Sequence, residues 1–192
     1  MTSELKTQIL PKAGKYLNFQ LASEKYSCSV TQVSEIIRLC PITKVPRMPD
    51  YFLGMINLRG KIIPVIDLRL KLGLPEAVNL ERTCIIVVYN GDEEGANQLV
   101  GLQVDVVDEV VAINADAIEA PPNFCDSISE KYIQAMAKVK DSVITILSIE
   151  DILANADRYE ADKQVLGVMD SKLHVLQDPQ QAQSNHSLAA QS

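Results

Sequence analysis

Three neighbouring carboxylates, Asp105, Asp108 and Glu109, have the side-chain type and spacing that an acid–base pair or a metal site requires. On an extended strand, however, Asp105 and Asp108 point to opposite faces, because side chains alternate along a strand. A calcium loop would also place Asn or Gly among the acidic residues, and this segment contains neither. We therefore interpret these carboxylates as a solvated strand end.

The two histidines, His174 and His186, lie close to the C-terminus in a stretch rich in Gln, Ser, Ala and Asn. A nucleophilic triad needs a histidine that is held rigidly against its nucleophile, and such a stretch is poorly suited to that task. The sequence also lacks the glycine-rich, nucleophile-elbow and zinc motifs of common enzymes. We predict that the protein is not an enzyme and uses no cofactor.

The four cysteines are Cys28, Cys40, Cys84 and Cys125, and no two of them form a C-x-x-C motif. Cys28 and Cys84 lie within apolar runs typical of strands, where a reduced thiol behaves as a small hydrophobic group. Structural thiols are therefore favoured over a metal site or a disulfide. A reducing cytoplasm is the matching compartment.

The charge balance of the chain limits its partners. Eighteen Lys and Arg face 25 Asp and Glu, which gives a formal net charge of −7, whereas nucleic-acid binding needs clustered basic side chains. The longest apolar run, Cys84 to Tyr89, is far shorter than the roughly 20 residues that a membrane-spanning helix needs. We predict no nucleic-acid binding and no direct membrane insertion.

Short strands separated by turns dominate the hydrophobic pattern. Leu17, Phe19 and Leu21 alternate with polar residues, which predicts a strand with one buried face. Further strands are expected at residues 26–30, 62–66, 83–89, 99–106 and 143–147, with a hairpin turn at 90–95. Pro64 places its strand at an edge or beside a bulge, because proline donates no ladder hydrogen bond. The pattern indicates a mainly β fold of the barrel or sandwich type.

A weak internal repeat divides the sequence into two halves. Residues 33–37 (VSEII) are similar to residues 107–111 (VDEVV), and residues 62–68 are similar to residues 143–149. In the second pair, each apolar strand runs into a residue suited to cap a helix, Asp67 or Ser148. Chance similarity among Val- and Ile-rich strands is the alternative, but agreement at two places in the same order favours two related subdomains.

The segment from Tyr51 to Leu68 has the most distinctive pattern. An apolar strand reaches Arg59, turns at Gly60 and returns as a second strand, while Gly54 permits a close approach of backbones. A guanidinium at the end of an apolar strand is partly buried only where it meets a carboxylate. Glu35 is the acid that we expect to pair with Arg59. From the residues alone, an arrangement with both side chains in water stays open.

This segment resembles the signature of CheW-like domains. Residues 54–60 read G-x-x-N-L-R-G, and residues 63–68 read I-P-V-I-D-L. Residues 33–36 resemble the V-x-E-I motif of the family, and residues 100–105 resemble its V-G-L-x-V-D motif. The resemblance covers Lys15 to about Asn155.

The resemblance implies two small five-stranded barrels, intertwined around a shared core, with short helices and no cofactor. It also implies two protein partners. The regulatory domain of a CheA-type histidine kinase docks on one surface, and the cytoplasmic tip of a chemoreceptor (a methyl-accepting chemotaxis protein) enters a groove between the barrels. The residues implied in partner binding are the charged pair Arg59 and Glu35, the groove residues Val33, Ile36 and Val104, and Gly54.

We therefore expect a flexible N-terminus at 1–14, a CheW-like domain of two barrel subdomains at 15–156, and a C-terminal helix with a disordered tail at 157–192. The predicted function is a chemotaxis adaptor that couples chemoreceptors to CheA in a bacterial two-component array. The protein would be cytoplasmic and recruited to membrane-associated receptor arrays. The alternative is a CheW-like adaptor of a non-flagellar pathway, for surface motility or gene regulation. We do not expect a complete kinase, or an appended receiver domain of more than 100 residues, in a chain of this length.

Overall fold

The computed structural model describes residues 10–90, 98–121, 131–139 and 142–154. The predicted hairpin turn after Asn90, the C-terminal helix and tail, both histidines and Cys125 lie outside these residues, as do residues 1–9 of the predicted flexible N-terminus. Within the described ranges the chain forms eleven strands and two short α-helices. The strands are β1 (Gly14–Leu21), β2 (Glu24–Ser29), β3 (Val33–Arg38), β4 (Phe52–Leu58), β5 (Lys61–Asp67), β6 (Cys84–Asn90), β7 (Gln98–Val104), β8 (Val106–Ile113), β9 (Ile118–Glu119), β10 (Ile133–Val139) and β11 (Ser142–Leu147), and the helices are α1 (Leu68–Lys71) and α2 (Ile149–Ala154).

The strands form two sheets that the chain visits in turn. Sheet A has the order β8-β1-β2-β11-β10-β9, and sheet B has the order β3-β6-β7-β5-β4. The chain begins in sheet A, passes through all of sheet B and returns to complete sheet A, so the two units are intertwined. The prediction of a mainly β fold built from two small β units is confirmed. Sheet A has six strands because the two-residue strand β9 adds to its edge.

The two sheets share one pattern of connections. In each, the parallel pairing joins strands from different hairpins, β2 with β11 in sheet A and β7 with β5 in sheet B. The repeated segments occupy matching places: β3 and β8 lie at the edges of their sheets, and β5 and β11 each lead into a short helix. The internal repeat in the sequence therefore corresponds to equivalent positions in the two sheets.

Three apolar clusters hold the domain together. The largest, which we call the central cluster, draws on both sheets and both helices and includes Phe19, Leu68, Leu102 and Ile152. The alternating residues Leu17, Phe19 and Leu21 all face it, as their spacing predicts. Each sheet also curves around a cluster of its own, because side chains from both edges of the sheet meet there.

Both helices begin at the residues that the sequence predicts as caps. Asp67 Oδ1 accepts the backbone N–H groups of Arg69 at 2.8 Å and Leu70 at 3.2 Å. Ser148 Oγ accepts the N–H of Asp151 at 3.1 Å. These bonds satisfy donors that the first helical turn leaves without intrahelical partners.

Pro64 does not mark an edge strand. Strand β5 lies inside sheet B, between β4 and β7. The proline is tolerated because the ladder with β7 begins one residue later, at Val65 opposite Gly101. The register between β4 and β5 is irregular beside Pro64, between Phe52 and Gly54. Of the two predicted alternatives, an edge strand or a bulge, the structure therefore agrees with the bulge.

Candidate partner-binding surface

The hairpin between β4 and β5 presents Arg59 at its tip. Leu58 pairs with Lys61, so Arg59 and Gly60 form a two-residue connection, and their φ angles of 52° and 83° have the signs of a type I′ turn. Asn57 Oδ1 accepts the N–H of Gly60 at 2.8 Å. The N-L-R-G motif therefore encodes the turn. The Asn57 side chain caps it, Arg59 lies at its tip, and Gly60 adopts the positive φ that it requires.

The structure brings Arg59 and Glu35 together. Arg59 Nη2 lies 3.0 Å from Glu35 Oε2, and the two side chains are 79% and 24% exposed. Glu35 comes from edge strand β3, so the pair joins the tip of one hairpin to the opposite edge of sheet B. An exposed pair of this kind contributes at most about 1 kcal/mol to stability. Its position on the surface matters more than its contribution to the fold.

Val33 and Ile36 lie on the face of β3 opposite to that of Glu35. Their cross-strand partners, Val88 and Ile86, belong to the central cluster, and directly opposed residues in a ladder point to the same face. Val33 packs partly against that cluster, whereas Ile36 stays 45% exposed. We call this pair the β3 rim. It is an apolar edge of the central cluster that solvent reaches.

Two predicted site residues are not on the surface. Val104 is buried in the central cluster, so its side chain contributes no exposed area here, and its place in a groove stays a prediction. Gly54 is also buried and has φ of +139°. A Cβ there would clash with the carbonyl of Thr43, whose strand-like bridge to Met55 lies against it. Gly54 therefore permits the close approach of the Thr43 backbone to the hairpin, and its part in partner binding stays a prediction.

Sequence reasoning missed two residues that the repeat could have identified. Val107 and Val110 on β8 occupy the places that Val33 and Ile36 occupy on β3. Their cross-strand partners, Phe19 and Leu17, belong to the central cluster; Val107 packs partly against it, and Val110 is 51% exposed. We call this pair the β8 rim. The central cluster is thus bordered by two equivalent apolar rims, one from each half of the repeat.

Asp105 is not the solvated strand end that the sequence suggests. Its Oδ2 lies 2.6 Å from Arg69 Nη1, and the two side chains are 21% and 13% exposed. The same oxygen accepts the backbone N–H of Ala22 at 2.6 Å. Asp108 accepts from Gln20, and both Asp108 and Glu109 are exposed.

Burial raises the pKa of two of the cysteines in the described residues, Cys28 and Cys84. Burial raises the pKa of Cys28 to about 12, which keeps this thiol protonated and unreactive at neutral pH. Burial also raises the pKa of Cys84, although a hydrogen bond from the Val107 N–H and the charge of Arg82 oppose the rise. Among the residues that the structure describes, no group of three or more His, Cys, Asp or Glu side chains is arranged to hold a metal ion.

No helix in the described ranges has the length and apolar character needed to cross a membrane. The surface of the described residues includes the exposed Arg59–Glu35 pair and the two apolar rims. They offer contacts for a protein partner, with charge recognition beside apolar area.

Comparison with known proteins identifies relatives of this chain. The family model of the CheW-like domain matches residues 15–157. The chain is 33% identical over 153 residues to the chemotaxis protein CheW of Bacillus subtilis, which covers 80% of this chain and 92% of that protein. It is 28% identical to the CheW of Klebsiella aerogenes over 74% of this chain and 83% of that protein.

A solved structure shows the same fold. The scaffolding protein TtCheW of Thermoanaerobacter tengcongensis superposes with a TM-score of 0.66 at 35% sequence identity, over 73% of this chain and 92% of that one. The family model and the curated relatives each cover well over half of the sequence. This chain therefore belongs to the CheW family.

Proposed function

We propose that this chain is a scaffold that couples chemoreceptors to a CheA-type histidine kinase, through a receptor-binding surface made of the Arg59–Glu35 pair and the two rims. Its family membership confirms the sequence-based prediction of a chemotaxis adaptor and does not favour the non-flagellar alternative. The observation that carries the surface assignment is the position of Glu35 and Ile36 as neighbours on one edge strand, with Arg59 bound to the former.

The proposed receptor partner is the helical hairpin at the cytoplasmic tip of a chemoreceptor. An amphipathic helix binds by laying its apolar stripe against an apolar edge, and the exposed Ile36 and Val110 supply that edge. The Arg59–Glu35 pair adds charged donors and acceptors on the same edge strand, which gives specificity rather than large affinity. An apolar rim alone would accept many helices, so the charged pair supplies the discrimination.

The kinase partner would occupy a different surface. An adaptor of this kind must hold receptor and kinase at once, and a domain made of two joined sheets offers separate faces for them. Such dual binding lets an array assemble from individually modest affinities, because each bound partner raises the effective concentration of the next. We propose that the protein acts in the cytoplasm at membrane-associated receptor arrays, and that its role is binding without catalysis.

Charge reversal at the turn tests this function. The full chain is titrated against a receptor-tip fragment and, separately, against a CheA regulatory domain. Arg59→Glu should weaken receptor binding about tenfold, because it places a second carboxylate beside that of Glu35. Kinase binding should stay within about twofold of the original, as expected for a change at an exposed site away from the contact.

The matched control is Lys61→Glu, which makes the same charge change on the other side of Gly60. Lys61 is exposed and begins β5, so its reversal should leave both affinities nearly unchanged. An Arg59→Glu protein that binds the receptor tip like the original would remove the pair from the site. A chain that binds neither fragment at micromolar concentration would overturn the coupling function itself.

A further inference from the structure

Asp105 lies where the chain crosses from sheet B back to sheet A, between the end of β7 and the start of β8. Its carboxylate accepts from Arg69 of α1 and from the backbone of Ala22 in the β1–β2 turn, both at 2.6 Å. Its own N–H donates to Gln20 O at 3.2 Å. This one residue therefore binds a sheet A hairpin and the helix that follows sheet B strand β5.

Arg69 is itself fixed by further contacts. Its Nε donates to Pro75 O at 3.0 Å, so the planar guanidinium is held by two acceptors in different directions. Its backbone N–H is bound by the helix cap Asp67. A charge-assisted bond between two partly buried and otherwise restrained groups has a well-defined direction, which an exposed pair of long side chains lacks.

The β8 rim starts two residues after Asp105. From there β8 pairs with β1 of sheet A, and Val107 lies opposite Phe19. The start of β8 is thus attached at Asp105 to the helix that follows β5, through Arg69, and at Val107 to β1 of sheet A. Val107 and Val110 are presented from a strand whose starting point is fixed on both sides.

The equivalent connection in the other half of the domain, from β2 to β3, has weaker contacts. The chain passes from sheet A to sheet B through the short 3-10 turn Val30–Gln32, immediately before the β3 rim. Gln32 Nε2 donates to Glu150 Oε1 of α2 at 3.2 Å, on the exposed surface. In both halves a crossover side chain binds the helix that follows the parallel strand, but only the β8 side uses a partly buried ion pair.

We propose that Asp105 is a positioning residue for receptor binding: held by Arg69 and Ala22, it fixes the β8 rim so that Val107 and Val110 meet the receptor helix at a set spacing from the β3 rim. This inference rests on the proposed function. A helix that contacts both rims at once requires them at the correct separation. If one rim varies in position, the receptor helix binds more weakly, because binding must then order that rim.

The test is receptor-tip binding by full-length Asp105→Asn. Asparagine keeps the size of the side chain and an acceptor for the Ala22 N–H, but it removes the charge that orients Arg69. We expect about a tenfold loss of affinity for the receptor-tip fragment, which corresponds to about 1.4 kcal/mol. Binding of the CheA regulatory domain should change less than about twofold, since the loss acts through one rim.

A double-mutant cycle with Val107→Ala separates positioning from general stability. If Asp105 acts through the rim, the receptor-binding losses of Asp105→Asn and Val107→Ala will be clearly less than additive. Arg69→Lys provides a second route to the same question, because it keeps the charge but loses the Nε bond to Pro75; it should give a smaller loss of the same kind. Lys138→Gln, which breaks the exposed Lys138–Glu119 pair of sheet A, is the matched control and should leave receptor affinity unchanged.

Each result has one meaning. A selective loss of receptor binding with a non-additive cycle supports the positioning role. Equal losses for receptor and kinase fragments, or additive effects, would show that Asp105 only stabilises the fold, and unchanged binding would remove it from any role in recognition. If the unaltered chain fails to bind the receptor tip, the proposed function falls first and the inference with it. Should Asp105→Asn not fold, Arg69→Lys gives the same decision.

Discussion

Two arginine–carboxylate pairs in this chain differ in almost every physical respect. Arg69 and Asp105 lie 2.6 Å apart with side chains 13% and 21% exposed, at the junction of the two sheets. Arg59 and Glu35 lie 3.0 Å apart with Arg59 79% exposed, at the tip of a hairpin. The first pair is surrounded by further bonds to backbone, whereas the second faces water on one side.

The difference separates what holds the domain together from what it presents to a partner. A partly buried pair contributes through geometry and is costly to break from one side only, whereas an exposed pair adds little stability. Arg59 also adopts the left-handed backbone conformation, which costs a side-chain-bearing residue roughly 1–2 kcal/mol relative to the right-handed form. This conformational cost and the small return in stability support the proposed role of Arg59 in recognition.

Removing one partner of each pair should give the largest contrast. Arg69→Ala leaves the Asp105 carboxylate partly buried without a counter-ion, and we expect it to lower the free energy of unfolding by about 2 kcal/mol. Arg59→Ala should lower it by less than about 0.5 kcal/mol. Urea denaturation followed by circular dichroism measures both, since the chain has no tryptophan. Equal losses would contradict the distinction between the two pairs.

Arg59→Gly should sharpen the contrast by moving stability and binding in opposite directions. Glycine accepts positive φ without a steric penalty, so this variant should be more stable than the original by about 0.5 kcal/mol, after the greater backbone entropy of unfolded glycine is taken into account. It should nevertheless bind the receptor tip more weakly. Lys61→Gly is the control: it lies in a strand, where glycine should destabilise by about 0.5–1 kcal/mol. A destabilised Arg59→Gly would show that the pair supports the fold.

Salt should act on the exposed pair and leave the junction pair almost untouched. Mobile ions screen charges that face solvent far more than charges that are partly buried. We expect receptor-tip affinity to fall about twofold between low and high salt through the Arg59–Glu35 pair. The same titration with Arg59→Ala should show a correspondingly smaller slope. If both proteins give the same slope, the salt effect arises elsewhere.

The smallest expected effect is a pH dependence located at the junction. Burial raises the pKa of Asp67, with opposition from its backbone bonds to Leu70 and Arg69 and from the charge of Arg69, while Asp105 adds to the rise. The folded protein therefore holds a proton that the unfolded chain has already released above its ordinary pKa of 3.8. By linkage, this contribution to stability is complete below that value and is lost as pH rises through the higher folded-state pKa.

Comparison of Asp67→Asn with the original chain isolates this contribution. Denaturation midpoints measured across mildly acidic pH should give a difference between the two proteins that changes in favour of the variant as pH rises. Asparagine retains the oxygen that caps α1, so the helix start is preserved. A difference independent of pH would mean that Asp67 has the same pKa in the folded and unfolded states.

Several features were predictable because they depend on nearby residues. The strand at Leu17–Leu21 follows from its alternation, the caps at Asp67 and Ser148 follow from residue type at the end of an apolar run, and the turn at Arg59–Gly60 follows from glycine. These are local rules of backbone and hydrogen bonding. The Arg59–Glu35 pair was expected from the need of a guanidinium for a carboxylate.

Other features depend on contacts that the local sequence does not show. Asp105 finds Arg69, which lies 36 positions earlier in the chain, so no window around Asp105 reveals its partner. Val104 lies in β7, an interior strand with apolar neighbours on both faces, and alternation does not tell which of its side chains reach the surface. The choice between an edge strand and a bulge at Pro64 stayed open for the same reason, because strand order is set by distant pairing.

The path of the chain through the two sheets has a consequence for the order in which they form. Sheet B is built from one continuous stretch, residues 33–104. Sheet A is complete only when β8–β11 have joined β1 and β2. Pairings between segments close in sequence form fastest, and domains emerge from the ribosome N-terminus first. The hairpin of β1 and β2 therefore remains without its parallel neighbour until β11 has been made, and during synthesis it is the part of the molecule most exposed to pairing with the wrong strand.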